Sequence, residues 1–137
     1  MVIDSIDRGV VIDHIAAGKG MEVYRYLGLE RLDGAVAILK NVKSGRMGRK
    51  DIIKIEDHID VDLDALGYID PNITVNIIEQ GTITSKLKLS LPARLTNVLT
   101  CKNPRCITTA EPGIPQQFAL ANPVTRTYRC LYCEQEA

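Results

Sequence analysis

The sequence has no tryptophan, one phenylalanine and five tyrosines, so it offers few aromatic platforms on which exposed bases would stack. It also has no net charge, with 17 Lys and Arg set against 17 Asp and Glu. A dedicated nucleic-acid binder usually carries a basic excess, so that class is disfavoured. No apolar run approaches the ~20 residues that a membrane-spanning helix requires. The opening Met1-Val2-Ile3-Asp4-Ser5-Ile6-Asp7 has acids where a secretory signal would carry positive charge, and no apolar stretch follows it. A cytoplasmic protein is expected. Neither the Walker phosphate loop nor the dinucleotide glycine fingerprint is present, and Gly18-Lys19-Gly20 is too short to count as either. Asp13-His14 is the only feature resembling an acid–base pair, and no nucleophile setting accompanies it. Neighbours on a regular strand point to opposite faces, so these two are expected to be a surface Asp and His that do not act together. Catalysis is disfavoured.

The first hundred residues also lack cysteine. All four, Cys101, Cys106, Cys130 and Cys133, fall in the last 37 residues of a 137-residue chain. The pattern is Cys-x4-Cys, 23 intervening residues, then Cys-x2-Cys. Three readings compete: a tetrahedral zinc site, two disulfides, or unlinked buried thiols. Zinc is favoured, because it accepts four thiolates from two close pairs and nothing indicates export to an oxidising compartment. Four sulfurs leave the ion no open position, so such a site is structural. Residues Ile107 to Arg129 combine Pro112, Gly113 and Pro115 with a few apolar side chains such as Phe118, Leu120 and Val124. A small β-rich module with long loops is expected, too poor in apolar residues to be stable without the metal.

The cysteine-free part reads as two helices and five strands. Val2–Asp7 is taken as a strand, with Val10–Ile12 as its continuation or the start of a loop. Lys19–Leu27 spaces Met21, Tyr24 and Leu27 along one helical face and stops at Gly28. Gly34–Val42 and Arg49–Glu56 read as strands around a turn, with Ile53 and Ile55 opposite Lys54. Asp62–Leu66 reads as a helix with Leu63 and Leu66 inward, Asp60 or Asp62 as N-cap and Gly67 as its stop. Thr74–Ile78 and Thr82–Leu87 form a hairpin around Gln80-Gly81. The resulting β-α-β-β-α-β order with one extra strand predicts an α+β fold: a ferredoxin-like antiparallel sheet with both helices on one face, followed by the β-rich zinc-binding module. Ser90-Leu91-Pro92-Ala93-Arg94 connects the parts, giving domains at 1–92 and 93–137.

Lys50 and Lys54 share a strand face, and Lys86 lies on the last strand before the connection. Together they have the charge to converge on a triphosphate, although lysines on an exposed sheet face are also ordinary.

Ordered matches along the chain carry a resemblance. They include Arg8-Gly9-Val10-Val11-Ile12-Asp13-His14-Ile15, Ser44-Gly45 with Met47-Gly48-Arg49-Lys50-Asp51, Ile53-Lys54-Ile55-Glu56, Thr74-Val75-Asn76, Ser90-Leu91-Pro92 and Asn97-Val98-Leu99. The cysteine block adds Cys101, Asn103, Cys106-Ile107, Ala110-Glu111-Pro112 and Tyr132-Cys133-Glu134. Over almost its full length the chain resembles the regulatory chain of aspartate carbamoyltransferase. The resemblance implies a non-catalytic subunit in pyrimidine biosynthesis, inhibited by CTP or UTP and activated by ATP. It further implies a regulatory dimer, and a zinc domain that docks on trimers of the catalytic chain. Asp13 should then meet the ribose, His14 the phosphate region, Lys54 the base and ribose, and Lys86 the phosphates. Asn76 and Ile78 should surround the base, and backbone groups near Ile3, Asp4 and Ile6 should read its edge, with Lys50 in the same neighbourhood. Cys101, Cys106, Cys130 and Cys133 should hold one structural Zn2+. Gly81 stands where family members commonly have a bulky side chain walling the base pocket. No nucleic-acid or membrane partner is expected. The alternative is a zinc-ribbon nucleic-acid-binding or transcription adaptor, favoured by Arg46, Arg49 and Lys50 and opposed by the zero net charge.

Overall fold

Alternating apolar residues and short turn signals build the first part of the chain. The computed structural model describes residues 6–57 and 59–137, and the chain divides into two compact units, Met1–Ser90 and Leu91–Ala137. In the first unit β1 (Gly9–Ala16), α1 (Gly20–Tyr26), β2 (Ala35–Ser44), β3 (Gly48–Glu56), α2 (Leu63–Ile69), β4 (Thr74–Glu79) and β5 (Thr82–Lys88) follow in that order. The sheet order is β2-β3-β1-β4-β5, with every pair antiparallel. This is the expected ferredoxin-like plan with β5 added beside β4.

The period of two decides which face is buried. Val10, Ile12, Ile53, Ile55 and Val75 point from β1, β3 and β4 into one buried cluster with Val23 of α1 and Leu66 of α2. Both helices therefore cover the same face of the sheet. Each such aliphatic side chain stabilises the unit by roughly 1.5–3 kcal/mol relative to exposure. The helix-free face is left to Val11, Asp13, Lys50, Ile52, Lys54, Thr74, Asn76 and Ile78 by the same alternation.

A buried carboxylate ties the helical side together. Asp51, fully buried on β3, accepts from the backbone N–H groups of Gly18 (3.1 Å), Gly20 (2.9 Å) and Asn41 (2.8 Å). Lys19, the N-cap of α1, makes no side-chain cap, so Asp51 supplies that acceptor from across the sheet. The contact is close enough that a Cβ at position 20 would come within 2.8 Å of the Asp51 carboxylate, which is why glycine stands there. At the other end of the sheet Gln80 and Gly81 both have positive φ (52° and 75°) and close the β4–β5 hairpin in a two-residue turn.

Several boundaries differ from those read in the sequence. Of the strand expected over Val2–Asp7, residues 2–5 lie outside the described residues and Ile6 and Asp7 are not in a strand, so β1 is the first described strand. On α1 the side chain buried deepest is Val23, with Tyr24 and Leu27 packed on its flanks. A short 3-10 turn, Leu29–Arg31, follows α1 and buries Leu29. α2 runs three residues past Leu66, and Gly67 is buried inside it instead of ending it. Asp62 caps α2 by accepting from the Ala65 N–H (3.1 Å), which fixes a start that leaves Leu63 on the flank, 36% exposed.

The second unit consists of β6 (Arg94–Thr96), α3 (Ile107–Ala110), β7 (Gln117–Asn122) and β8 (Thr127–Cys130), with the strands in an antiparallel sheet ordered β6-β7-β8. Leu95, Phe118 and Tyr128 are its large buried side chains, and the Tyr128 hydroxyl donates to the Pro92 carbonyl (2.6 Å). Among the described residues no helix is long and apolar enough to cross a membrane.

Candidate functional site

The four cysteines converge. Their Sγ atoms all lie within 4.8 Å of one another, with Cys101 to Cys133 at 3.6 Å and Cys106 to Cys130 at 3.8 Å. A disulfide requires about 2.05 Å, and all four are free thiols, so the disulfide reading is not realised. Four sulfurs at ~2.3 Å from a central ion form a tetrahedron with edges of ~3.8 Å, and the observed separations fit it. Local turns set the ligands. The Cys106 N–H donates to the Asn103 carbonyl (3.1 Å) and the Glu134 N–H to that of Cys130 (2.9 Å). The Thr108 hydroxyl donates to Cys106 Sγ (3.1 Å) and holds that thiol below its ordinary pKa. The Asn103 side chain and the Gln135 N–H pull Cys133 down to about 6, whereas burial pushes Cys101 up to about 12. Four thiolates this close repel one another, and a multivalent cation is what relieves that conflict.

The second constellation occupies the helix-free face of the large sheet. A cavity of about 340 Å³ is lined by Ile6, Val11, Asp13, Ile52, Lys54, Asn76, Ile78, Gly81 and Ile83. Five of the sequence-named residues, Ile6, Asp13, Lys54, Asn76 and Ile78, therefore meet around one space. Ile3 and Asp4 lie outside the described residues. Strand register explains the convergence. Lys54 pairs with Val11, Val11 with Asn76, and Asn76 with Lys86, so these four form one row across β3, β1, β4 and β5. At ~4.8 Å per strand the two lysines stand about 14 Å apart at the ends of that row. Asn76 is only 7% exposed, and its Oδ1 has no hydrogen-bond partner among the described residues. A buried acceptor left so costs about 1–3 kcal/mol, which a ligand donor would recover.

Asp13 and His14 correct the regular-strand expectation. β1 has one residue too many between the pairs Ile12↔Ile53 and Ile15↔Asp51, and His14 takes up the excess with φ 59°. This bulge breaks the alternation. Asp13 faces Thr74 across the β1–β4 pair, and His14 Nδ1 lies 2.9 Å from that same Thr74 hydroxyl, so both side chains reach the helix-free face. The His14 N–H donates to Asp13 Oδ1 (2.6 Å), and Lys50 Nζ forms an ion pair with the same oxygen (2.9 Å). Burial alone would raise the Asp13 pKa, but the Lys50 ammonium and the His14 N–H outweigh it and hold the carboxyl below its ordinary value. Burial lowers the His14 pKa, Asp13 opposes, and Lys50, Arg46 and Lys86 add to the depression. The imidazole is thus neutral in the free chain at pH 7.

Val11, Ile52 and Ile83 were missed as site residues. Alternation carried the signal for two of them: Val11 lies between the buried Val10 and Ile12, and Ile52 two residues before Lys54. Ile83, 56% exposed, had only its place opposite Ile78 to mark it.

Comparison with known proteins places these two constellations in one lineage. Residues 1–90 match the family described as aspartate carbamoyltransferase regulatory chain, allosteric domain, and residues 93–137 match the metal binding domain of the same regulatory chain. A protein of Clostridium botulinum named aspartate carbamoyltransferase regulatory chain is 50% identical over 135 residues, covering 98% of this chain and 92% of its own length. Proteins of the same name from Clostridium tetani (47% identical, covering 98% of this chain and 94% of their own) and Bifidobacterium longum (44%, covering 100% and 99%) also match. Nearly full-length identity at this level, over a metal-ready cysteine cluster and a cationic sheet face, has one consequence: the chain belongs to the family of aspartate carbamoyltransferase regulatory chains.

Proposed function

We propose that the helix-free face binds a nucleoside triphosphate, namely CTP, UTP or ATP, and that the cysteine module, holding Zn2+, docks on the catalytic chain and passes on the binding signal. Asn76 Oδ1, which has no hydrogen-bond partner among the described residues, carries this reading. It is a buried acceptor in a cavity with apolar walls at Ile6, Ile78 and Ile83, suited to an N–H donor of a base, the amino group of cytosine or adenine or the N3–H of uracil. Lys54 sits across Val11 from it, near the ribose, and Asp13 takes a ribose hydroxyl. Lys86, His14 and Lys50 lie toward the phosphates. None of these groups has a reaction to perform, and charge with shape is what a sensor needs.

Cys101, Cys106, Cys130 and Cys133 would hold the zinc, whose contribution is purely structural because four thiolates fill its coordination shell. Regulation then follows from differential affinity. A nucleotide inhibits if it binds the low-activity form of the assembly more tightly and activates in the reverse case. Coupling of about 1–3 kcal/mol suffices. The adaptor reading loses its support with family membership, and the zero net charge still opposes it.

Calorimetric titration of CTP, UTP and ATP into the wild-type chain and into Lys86→Ala tests the proposal. Saturable binding weakened about tenfold or more by the substitution is expected. Absence of binding by all three nucleotides in the wild type would overturn it.

A further inference from the structure

A separate cavity of about 410 Å³ lies on the helix-covered side of the first unit. Its apolar walls are Leu27, Leu29 and Leu32, which follow α1, and Ile59 from the connection between β3 and α2. Leu27, Leu32 and Ile59 pack against the buried cluster to which Leu29 belongs, so the core itself fixes this surface. The volume falls within the ~300–1,000 Å³ usual for small organic ligands. Gly28 shapes one side. Its left-handed backbone (φ 65°) turns the chain from α1 into the 3-10 turn, and a Cβ there would stand 3.3 Å from the Arg31 guanidinium. The guanidinium therefore lies down against the backbone at the cavity rim.

Two opposite charges, Arg31 and Asp60, line this same space. Among the described residues neither side chain forms an ion pair or a hydrogen bond, with the other or with a third group. The fold makes no use of Asp60 as a cap: Asp62 caps α2 instead, accepting from the Ala65 N–H at 3.1 Å. Nor does the turn need the Arg31 side chain, because backbone bonds from Arg31 to Gly28 and from Leu32 to Leu29 close it. A ligand with one charge would leave the other uncompensated. A ligand matching all three features carries a carboxylate, an ammonium and a short apolar chain. The planar fork of arginine binds a carboxylate through two parallel hydrogen bonds, and the Asp60 carboxylate accepts from an ammonium.

We propose that this cavity binds a free aliphatic α-amino acid, with Arg31 on its carboxylate, Asp60 on its ammonium and its side chain on the leucine and isoleucine walls. The site lies across the sheet from the face assigned to the nucleotide, so it stands independently of that reading.

The test is calorimetry on the full chain, in wild type, Arg31→Gln and Asp60→Asn. The probes are leucine, glycine, isovalerate (no ammonium) and 3-methylbutylamine (no carboxylate). Both side chains are exposed, so neither substitution disturbs the core, and thermal unfolding controls for folding. The wild type should bind leucine saturably and about tenfold or more tighter than each of the other three. Each substitution should weaken leucine about tenfold. Arg31→Gln should erase the advantage of leucine over 3-methylbutylamine, and Asp60→Asn its advantage over isovalerate. Absence of saturable leucine binding in the wild type would overturn the proposal. So would a leucine affinity unchanged in both variants, which would leave the cavity a plain apolar surface for a partner's side chain. Isovalerate or 3-methylbutylamine binding the wild type as tightly as leucine would overturn it too, by showing that a single charge suffices.

Discussion

The two units of this chain solve the same thermodynamic problem differently. Among its described residues the first buries ten aliphatic side chains in one cluster between a five-stranded sheet and two helices. The second has a three-stranded sheet and three large buried side chains, Leu95, Phe118 and Tyr128, around a set of cysteines. A sheet with its own core offsets the conformational entropy of ordering by itself. A 47-residue unit with so small a core needs a cross-link, and the four sulfurs are arranged for an ion. The lesson is a division of dependence: the first unit rests on apolar burial, whereas the second is expected to rely on an ion held by its four cysteines.

Removing the metal should separate the units most sharply. Chelation, or Cys106→Ser, should unfold Leu91–Ala137 and leave the first unit intact, since structural zinc binding is worth about 10–16 kcal/mol in small modules. Hydrogen exchange checks this, with amides of β7 and β8 losing protection while those of β1 and β3 keep theirs. Protection of β7 in metal-free protein would break the comparison.

The converse substitution is Asp51→Ala. It removes the acceptor of the Gly18, Gly20 and Asn41 N–H groups, of which that of Gly20 at the start of α1 is buried, and should destabilise the first unit by about 1–3 kcal/mol without changing the metal content. Denaturant unfolding alongside metal analysis reads both quantities.

Asn76→Leu sharpens the distinction between stability and function inside the first unit. Because Asn76 Oδ1 has no partner among the described residues, its removal should leave stability unchanged or raise it by up to about 1 kcal/mol, while nucleotide affinity falls about tenfold. Loss of stability would mean that the oxygen serves the fold rather than the ligand.

The smallest effect is on pH. In the free chain the His14 pKa lies below its ordinary value of about 6.5, chiefly through burial. Phosphates beside it favour the imidazolium, so binding takes up a proton and triphosphate affinity rises modestly as pH falls from 8 toward 6. The same depression works against the free fold below about pH 6.5, because the unfolded chain accepts that proton more readily. His14→Gln should flatten both dependences, measured by titration and unfolding across that range.

Much of this was legible before the fold was known, and the exceptions have physical causes. Period-two alternation in Ile53-Lys54-Ile55 assigned faces correctly, because a half-buried strand has no other way to arrange such residues. The cysteine spacing marked the cluster by itself. The bulge at Asp13-His14 was not legible: one surplus residue depends on how β1 registers against β3, a long-range matter that local pattern does not encode. Gly67 failed as a helix stop for a related reason, since burial against the core kept its backbone helical when local propensity favoured termination. The roles proposed for Asp13, His14, Lys54 and Lys86 came from family resemblance, not from spacing. What the fold adds is their common face and the row that aligns Lys54, Asn76 and Lys86.

One measurement addresses the division of labour directly: the activity of the aspartate carbamoyltransferase catalytic chain, mixed with metal-loaded or metal-stripped forms of this chain, across a CTP titration. Stripped protein should still bind CTP by calorimetry yet leave catalytic activity unresponsive to it, with response restored by zinc. A metal-free chain that assembles and transmits the nucleotide signal normally would contradict the account.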